Sequence, residues 1–213
     1  MLDKELSEGL KDLELGLGTA QQQLLLDYLT LLSRWNKTYN LTAVRDERAM
    51  VTRHLLDSLS VLPHLQGQRF IDVGTGAGLP GIPLAIAAPT RQFTLLDSNG
   101  KKTRFLVHAS NELGLTNIEV VKSRVRDYKP THIYDTVLSR AFASLDDMIS
   151  SCQHLLVPGG DFLAMKGQHP DEELQSVESG SFQISTIDLQ VPGLFEDRCL
   201  VRIQTNPDAD RDK

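Results

Sequence analysis

Arg69-Phe-Ile-Asp-Val-Gly-Thr-Gly-Ala-Gly-Leu-Pro-Gly81 is the stretch whose reading decides the fold. Phe70 to Val73 are β-favouring positions with Asp72 among them. Glycines follow, and Ile82-Pro-Leu-Ala-Ile-Ala-Ala88 then resumes as a small apolar helix. A strand, a tight glycine loop and a helix N-terminus make a nucleotide-binding turn. Glycine permits close backbone approach, and the free N–H groups of the helix face the ligand. Two ligand classes fit this turn. Gly76-x-Gly78-x-x-Gly81 matches the dinucleotide pattern, while Asp72-x-Gly74-x-Gly76-x-Gly78 matches the loop of S-adenosylmethionine enzymes. Asp72 favours the second, because a carboxylate beside the loop suits a cationic aminoacyl group better than a pyrophosphate.

Downstream, Gln92-Phe-Thr-Leu-Leu-Asp97 reads as a buried strand ending in an acid. Asp97 lies 19 residues past Gly78, where such folds place a carboxylate that accepts from ribose hydroxyls. This spacing supports a nucleoside in either ligand class. A helix is expected over Lys101–Leu113, with Lys101, Lys102 and Arg104 exposed. Ile118–Val121 is a third strand leading into Ser123-Arg-Val-Arg-Asp127. Tyr134–Ala141 is a fourth, which leaves Ser139 and Arg140 at its carboxyl end, where open parallel sheets bind ligands. A helix near Leu145–Leu156 is stopped by Pro158-Gly-Gly160, and Asp161–Met165 forms a fifth strand before Lys166. An exposed acidic helix over Asp171–Glu178 comes next. Two last strands, Phe182–Val191 and Cys199–Gln204, are joined by a turn containing Pro and Gly. Strands alternating with helices and closed by a hairpin describe an α/β fold. It is a Rossmann-like class I S-adenosylmethionine-dependent methyltransferase sheet, mostly parallel with a closing antiparallel hairpin, rather than a dehydrogenase.

Upstream of the loop the pattern is helical. Leu6, Leu10 and Leu13 fall at helical spacing, and Gly16 and Gly18 end that segment. Thr19-Ala-Gln-Gln22 reads as a capping box for a helix carrying Leu25, Leu29, Leu32 and Trp35 on one side. A third helix is expected from Asp46 to about Leu62, stopped by Pro63. Residues 1–63 are thus an N-terminal helical extension packed on the core, 64–205 the main domain, and 206–213 a flexible tail.

The formal net charge of −6 speaks against nucleic acid until it is split along the chain. Residues 1–33 carry −4 (two basic, six acidic) and residues 141–213 carry −8 (five basic, thirteen acidic), so the stretch 34–140 carries +6. Local field, not total charge, decides whether phosphates bind. Arg34, Lys37, Arg45, Arg48 and Arg53 concentrate positive charge just before the glycine loop and are the candidate contacts for nucleic-acid phosphates. His54 sits among them and reads as a packed or capped histidine. Cys152 and Cys199 are too few and too far apart for a metal site or a disulfide framework, and no run approaches a membrane span. The start of the chain lacks a basic segment with an apolar signal core, so the expectation is a cytoplasmic protein without metal.

Several blocks now stand in order: Trp35-Asn-Lys-x-x-Asn-Leu-Thr42, Arg53-His-x-x-Asp-Ser58, Asp72-Val-Gly-Thr-Gly-x-Gly-Leu-Pro-Gly81, Ser139-Arg-Ala141 and Lys166-Gly167. Together, over roughly residues 20–204, the chain resembles the bacterial small-subunit ribosomal RNA methyltransferase G family, also called glucose-inhibited division protein B. The resemblance implies methyl transfer from S-adenosyl-L-methionine, leaving S-adenosyl-L-homocysteine, to N7 of a guanine in 16S rRNA. The RNA is met alone, in the small ribosomal subunit or in a precursor. Family cofactor positions carry over onto Gly74 and Leu79, the Val125-Arg126 pair and Arg140, beside Gly76, Gly78 and Asp97 from the loop and second strand. Many relatives have an acid where Arg126 stands; an arginine cannot accept from an adenine amine, so either the backbone or Asp127 makes that contact. Arg140 is a positioning candidate toward donor or guanine, and Lys166 a phosphate candidate. Neither cysteine follows a proline, as a thiolate nucleophile for pyrimidine C5 would. Ser139-Arg-Ala-Phe142 replaces the Pro-Pro loop that goes with exocyclic amines. Guanine N7 loses no proton when methylated, so no general base is expected. The rival readings are a methyltransferase of small molecules or proteins, a nicotinamide-dependent oxidoreductase, and an RNA-binding module with an inactive cofactor pocket.

Overall fold

Successive side chains of a strand point to opposite faces of its sheet, and the first strand shows what that builds. In β1 (Arg69–Val73) Phe70 enters one buried apolar cluster, while Ile71 and Val73 enter the other. The structure, a computed structural model, describes residues 1–140, 142, 144–177 and 182–205. Its sheet continues with β2 (Gln92–Asp97), β3 (Ile118–Lys122), β4 (Tyr134–Ser139), β5 (Leu156–Lys166), β6 (Phe182–Asp188) and β7 (Cys199–Thr205). The strand order is β3-β2-β1-β4-β5-β7-β6. The first five strands are parallel, and β7 runs antiparallel between β5 and β6. The order reverses between β1 and β4. Such a switch point opens a crevice beyond the carboxyl ends of the strands.

Helices cover both faces. On one side α5 (Gly81–Ala87) and α6 (Gly100–Glu112) share a cluster with α1 (Leu2–Asp12) and α2 (Thr19–Tyr39). On the other, α7 (Leu145–Cys152) packs over Ile71, Val137, Phe162 and Val201. The N-terminal helices therefore bury their apolar stripe in the same core as the sheet. Leu25, Leu29 and Leu32 are buried, and Trp35 packs against Phe105 with ring centroids 5.6 Å apart.

Three local expectations change. The box that starts α2 is one residue earlier than Thr19–Gln22: Gly18 is the N-cap, and its N–H donates to Gln21 Oε1 at 3.1 Å. Gln21 Nε2 then donates to the carbonyls of Ile86 and Ala87, which pins α2 to the end of α5. The helix expected over Asp46–Leu62 is a composite. Asp46 caps α3 (Glu47–Met50), a π-helical turn spans Val51–Leu56, and α4 (Asp57–Leu59) completes it. π-Turns insert a residue into a helix and re-aim the turn beyond it; this one carries His54 and leads into Asp57. Pro158-Gly-Gly160 lies inside β5, which begins at Leu156, while α7 ends at Cys152. Pairing with β4 shifts between Tyr134 and Thr136, and an irregularity of that kind accommodates Pro and Gly within a strand. Ala141, Glu178 and the tail after Thr205 lie outside the described residues.

Candidate functional site

At the carboxyl ends of β1, β2 and β3 lies a cavity of about 290 Å³, lined by Val73, Gly74, Leu96, Asp97, Ser98, Ser123, Arg124, Val125 and Phe142. The glycine loop forms one edge. Gly74 and Gly76 have φ of 70° and 62°, the left-handed region that a Cβ disfavours, so the backbone bends tightly over the cavity mouth. Asp72 braces this bend from beneath. Its Oδ2 accepts from Thr75 Oγ1 at 2.6 Å and Gly81 N at 2.8 Å, while Oδ1 has no partner among the described residues. Burial pushes the Asp72 carboxyl up to about 6 against these two hydrogen bonds. The expected role of Asp72 therefore needs revision, since the carboxylate is spent on the loop and does not line the cavity. Tyr28 of α2 reaches the loop from the other side and donates to the Ala77 carbonyl at 2.8 Å. That contact ties the N-terminal extension to the site, and the sequence alone marks Tyr28 only as one more residue on a buried helix face.

Asp97 is where the spacing places it. Its Oδ2 accepts from Gly76 N at 3.0 Å and its Oδ1 from Asn99 N at 2.8 Å. Each oxygen keeps lone-pair capacity for a ribose hydroxyl. Lys102 Nζ stands 3.6 Å from Asp97 Oδ2, so this lysine belongs to the pocket edge rather than to a free solvated face. Val73, Leu96, Val125 and Phe142 supply apolar walls suited to a purine face. Donor-rich backbone, a buried acid and apolar walls fit the nucleoside end of S-adenosylmethionine, and the volume is near the low end for a ligand pocket.

Of the 3₁₀ turn Val125–Asp127, Val125 lines the cavity and the Arg126 side chain leaves it. Arg126 Nε reaches Ser151 Oγ and Nη2 reaches Asp147 Oδ1, both at 3.2 Å, which fastens the turn to α7. Asp127 does not line the cavity either; Arg124 does. Gly78 and Leu79 lie behind the loop, where a Cβ on Gly78 would meet Ile82 at 2.5 Å and Leu79 is buried. Ser98, Ser123, Arg124 and Phe142 line the cavity although the sequence assigns none of them a role. Their only signal is position, immediately after the ends of β2, β3 and β4.

Arg140 turns toward the N-terminal helices. Its Nη1 donates to Asp57 Oδ2 at 3.1 Å and to the Arg53 carbonyl at 3.3 Å, and its charge reaches Tyr28 and Asp72 beneath the loop. The side chain is therefore at the rim and not among the cavity-lining groups. Lys166 is likewise engaged: Nζ lies 2.8 Å and 3.0 Å from the two oxygens of Glu173 in α8 (Asp171–Ser176), so a phosphate there would compete with a carboxylate.

The other candidate RNA contacts divide in two. Arg34 and Lys37 are exposed on α2 with no ion pair among the described residues. Arg45 instead holds the Asn36 carbonyl at 3.0 Å and Asn40 Oδ1 at 2.6 Å, organising the loop after α2. Arg53 pairs with Glu196 at 3.2 Å, and Arg48 approaches Glu5 at 4.0 Å. His54 is buried, meets Thr42 Oγ1 at 2.9 Å, and is held down to about 4 by burial. It is neutral at physiological pH. Burial also pushes the Cys152 thiol up to about 12, which removes it as a thiolate.

Known proteins resemble the chain at two levels, sequence and fold. A family model described as rRNA small subunit methyltransferase G matches residues 21–201. The chain is similar to the ribosomal RNA small subunit methyltransferase G of Shewanella sp. (strain MR-4), 52% identical over 95% of this chain and 98% of the relative. It is 53% identical to that of Serratia proteamaculans (strain 568), over 96% of this chain and 100% of the relative. Among solved structures, the N-methyltransferase NodS from Bradyrhizobium japonicum WM9 in complex with S-adenosyl-L-homocysteine superposes with a TM-score of 0.54. That match has 15% identity and covers 84% of this chain and 97% of the other. A SAM-dependent methyltransferase from Aquifex aeolicus gives 0.55 at 19% identity, covering 71% and 90%. At such identities the structural likeness speaks for the fold: this is the class I methyltransferase sheet.

Proposed function

The chain belongs to the rRNA small subunit methyltransferase G family, and from that premise we propose that it methylates N7 of a guanine in 16S rRNA with S-adenosylmethionine. The observation that carries the reading is the cavity at the switch point, where the glycine loop, Asp97 and apolar walls meet. S-adenosylmethionine supplies, when bound, an electrophilic methyl group on a sulfonium sulfur. Asp97 holds the ribose side of that ligand, the walls of Val73, Leu96, Val125 and Phe142 hold its purine, and the Gly74–Gly76 backbone lets it approach closely. Arg140, at the end of β4, orients donor or guanine.

The residues around the cavity suit a nucleophile that needs no activation. The N7 lone pair lies in the base plane and carries no proton, so the protein's task is to hold nitrogen, methyl carbon and sulfur in line. His54 is buried, bonded to Thr42 and neutral, and both cysteines are buried and held protonated by burial. The phosphate face is Arg34 and Lys37 on α2, with Arg45, Arg48, Arg53 and Lys166 reaching RNA only by giving up their own-chain partners.

Methyl transfer from labelled S-adenosylmethionine to bacterial RNA, offered bare and as small subunits, followed by mapping of the modified base, tests this reading. A single labelled guanine in 16S rRNA, sensitive to cleavage chemistry specific for N7 methylation, is expected. Label at a pyrimidine carbon or an exocyclic amine would overturn it.

A further inference from the structure

We propose that Asp57 and Arg198 are positioning residues that aim the Arg140 guanidinium at the rim of the cofactor cavity. The proposal rests on the methyltransferase reading above and deepens it. Asp57 is 2% exposed, and a carboxylate that deep must be neutralised by partners. Two arginines divide it. Arg140 Nη1 holds Oδ2 at 3.1 Å, and Arg198 Nε holds Oδ1 at 3.0 Å.

The two guanidiniums are used differently, and that asymmetry separates an anchor from a presented group. Arg198 is tied at all three nitrogens. Besides Nε on Asp57, Nη1 donates to the Asp197 carbonyl at 2.9 Å and Nη2 to Glu196 Oε2 at 3.4 Å. Glu196 is fixed in turn by Arg53. Arg140 is held by Nη1 alone, through Asp57 and the Arg53 carbonyl, and its Nε and Nη2 meet no acceptor among the described residues. The side chain is 30% exposed, and Phe142 of the cavity wall follows two residues on, so Arg140 sits beside the rim with those N–H groups unengaged. Two cations share one carboxylate, so Arg140 is oriented without its charge being cancelled. The π-turn ahead of Asp57 and the β6–β7 connection carrying Arg198 thus converge on one side chain. An Arg fork aimed this way offers donors to guanine O6 while N7 stays free to accept the methyl group.

A double-mutant cycle read as single-turnover methyl transfer to small-subunit RNA tests the relay, with thermal melting to confirm that each variant folds. Asp57→Asn alone is expected to slow transfer by about a hundredfold, the penalty of small misplacements near the chemistry. In an Arg140→Ala background the same substitution is expected to add almost nothing, because Asp57 acts through Arg140. Arg198→Lys, which keeps the charge and loses the fork, is expected to show the same non-additivity. Should Asp57→Asn fail to fold, the Arg198→Lys cycle decides alone. Additive losses in a parent chain that does transfer methyl overturn the relay. A parent chain that transfers none to RNA overturns the functional reading instead.

Discussion

The cavity and the rim are a few residues apart in space and are built in opposite ways. Around the glycine loop, the deciding hydrogen bonds join residues close in sequence: Thr75 to Asp72 three apart, Gly81 to Asp72 nine apart, Gly76 to Asp97 21 apart. At the rim they join residues far from each other: Arg140 to Asp57 83 apart, Arg198 to Asp57 141, Arg53 to Glu196 143. The cavity works with backbone N–H groups and bare glycine, and the rim with side-chain charge. A site that must fit one small ligand is shaped by backbone. One that must meet a large polyanion is shaped by charges brought in from several elements.

The sharpest way to break this contrast is to put bulk into the backbone-built side. Gly74→Val adds a branched side chain at a positive φ on the cavity lining. Left-handed strain lowers folding stability, while the bulk placed where the ligand must approach costs about 1–3 kcal/mol of binding, so S-adenosylmethionine affinity by calorimetry should fall by roughly 5- to 150-fold. RNA affinity should stay close to that of the parent. Equal losses for both ligands would mean that cavity and rim are one unit.

Asp97→Ala comes next. It removes a charged acceptor worth about 1.5–3 kcal/mol, or roughly ten- to a hundredfold in cofactor affinity. The variant also frees Gly76 N and Lys102 Nζ from their acid. Lys102→Ala is therefore the control: if it matches Asp97→Ala, the acid serves the loop and not the ribose.

The same contrast explains what could be read from sequence. The strand–glycine–helix turn, Asp97 at the end of the second strand and the alternation of strands with helices follow from patterns a few residues to a few tens of residues long, the range over which backbone geometry dictates residue type. Which cations would be spent was not legible. Arg45, Arg53, Arg140 and Lys166 are indistinguishable from solvated cations until the fold brings Asn36, Glu196, Asp57 and Glu173 against them. Arg126 shows the point in miniature. Its place next to Val125 is local information, but Asp147 and Ser151, which draw its side chain away, come from α7. The π-turn was hidden too, since residues 51–56 have no composition that an α-helix would refuse.

Asp72 lets stability and binding be set against each other on the cavity side. Its folded value of about 6 exceeds the ordinary 3.8, with burial the largest cause. The folded chain therefore holds this proton more tightly than the unfolded chain. Its contribution to stability is greatest at low pH and is lost as pH rises from about 4 to about 6. Asp72→Asn escapes that loss, offset by an amide N–H₂ placed where Oδ1 has no partner among the described residues. Denaturant melts at pH 8 should show the variant about 1–2 kcal/mol more stable, with the gain vanishing near pH 4. A variant less stable at pH 8 would show that the charge holds the loop together.

On the rim the effects per residue are smaller and are read through salt. Arg34→Ala and Lys37→Ala remove cations with no ion pair among the described residues, so each phosphate contact deleted should flatten the log–log salt dependence of RNA binding by about 0.7–0.9. Arg45→Ala should instead lower stability, because it unties the loop after α2. S-adenosylmethionine affinity should change little with salt in all three variants. An unchanged slope in both Arg34→Ala and Lys37→Ala would move the phosphate face elsewhere.

The smallest expected effect is none at all, and it bears on the chemistry. Among the described groups, His54 at about 4 and Asp72 at about 6 lie below the range from pH 7 to 9. Cys152, at about 12, lies beyond it on the alkaline side. A general base tuned for work at neutral pH would titrate inside that window. If N7 is the nucleophile, the single-turnover rate at saturating substrates should be flat from pH 7 to 9. Cys152→Ala and Cys199→Ala should track the parent curve. Below pH 7 any change in rate follows Asp72 taking up its proton, and Asp72→Asn should abolish that pH dependence. This separates a loop effect from a catalytic one, because a base would leave its titration in place when Asp72 is changed. A log-linear rise with pH that survives Asp72→Asn, or a rate lost in Cys152→Ala, would rule out a nucleophile that needs no activation.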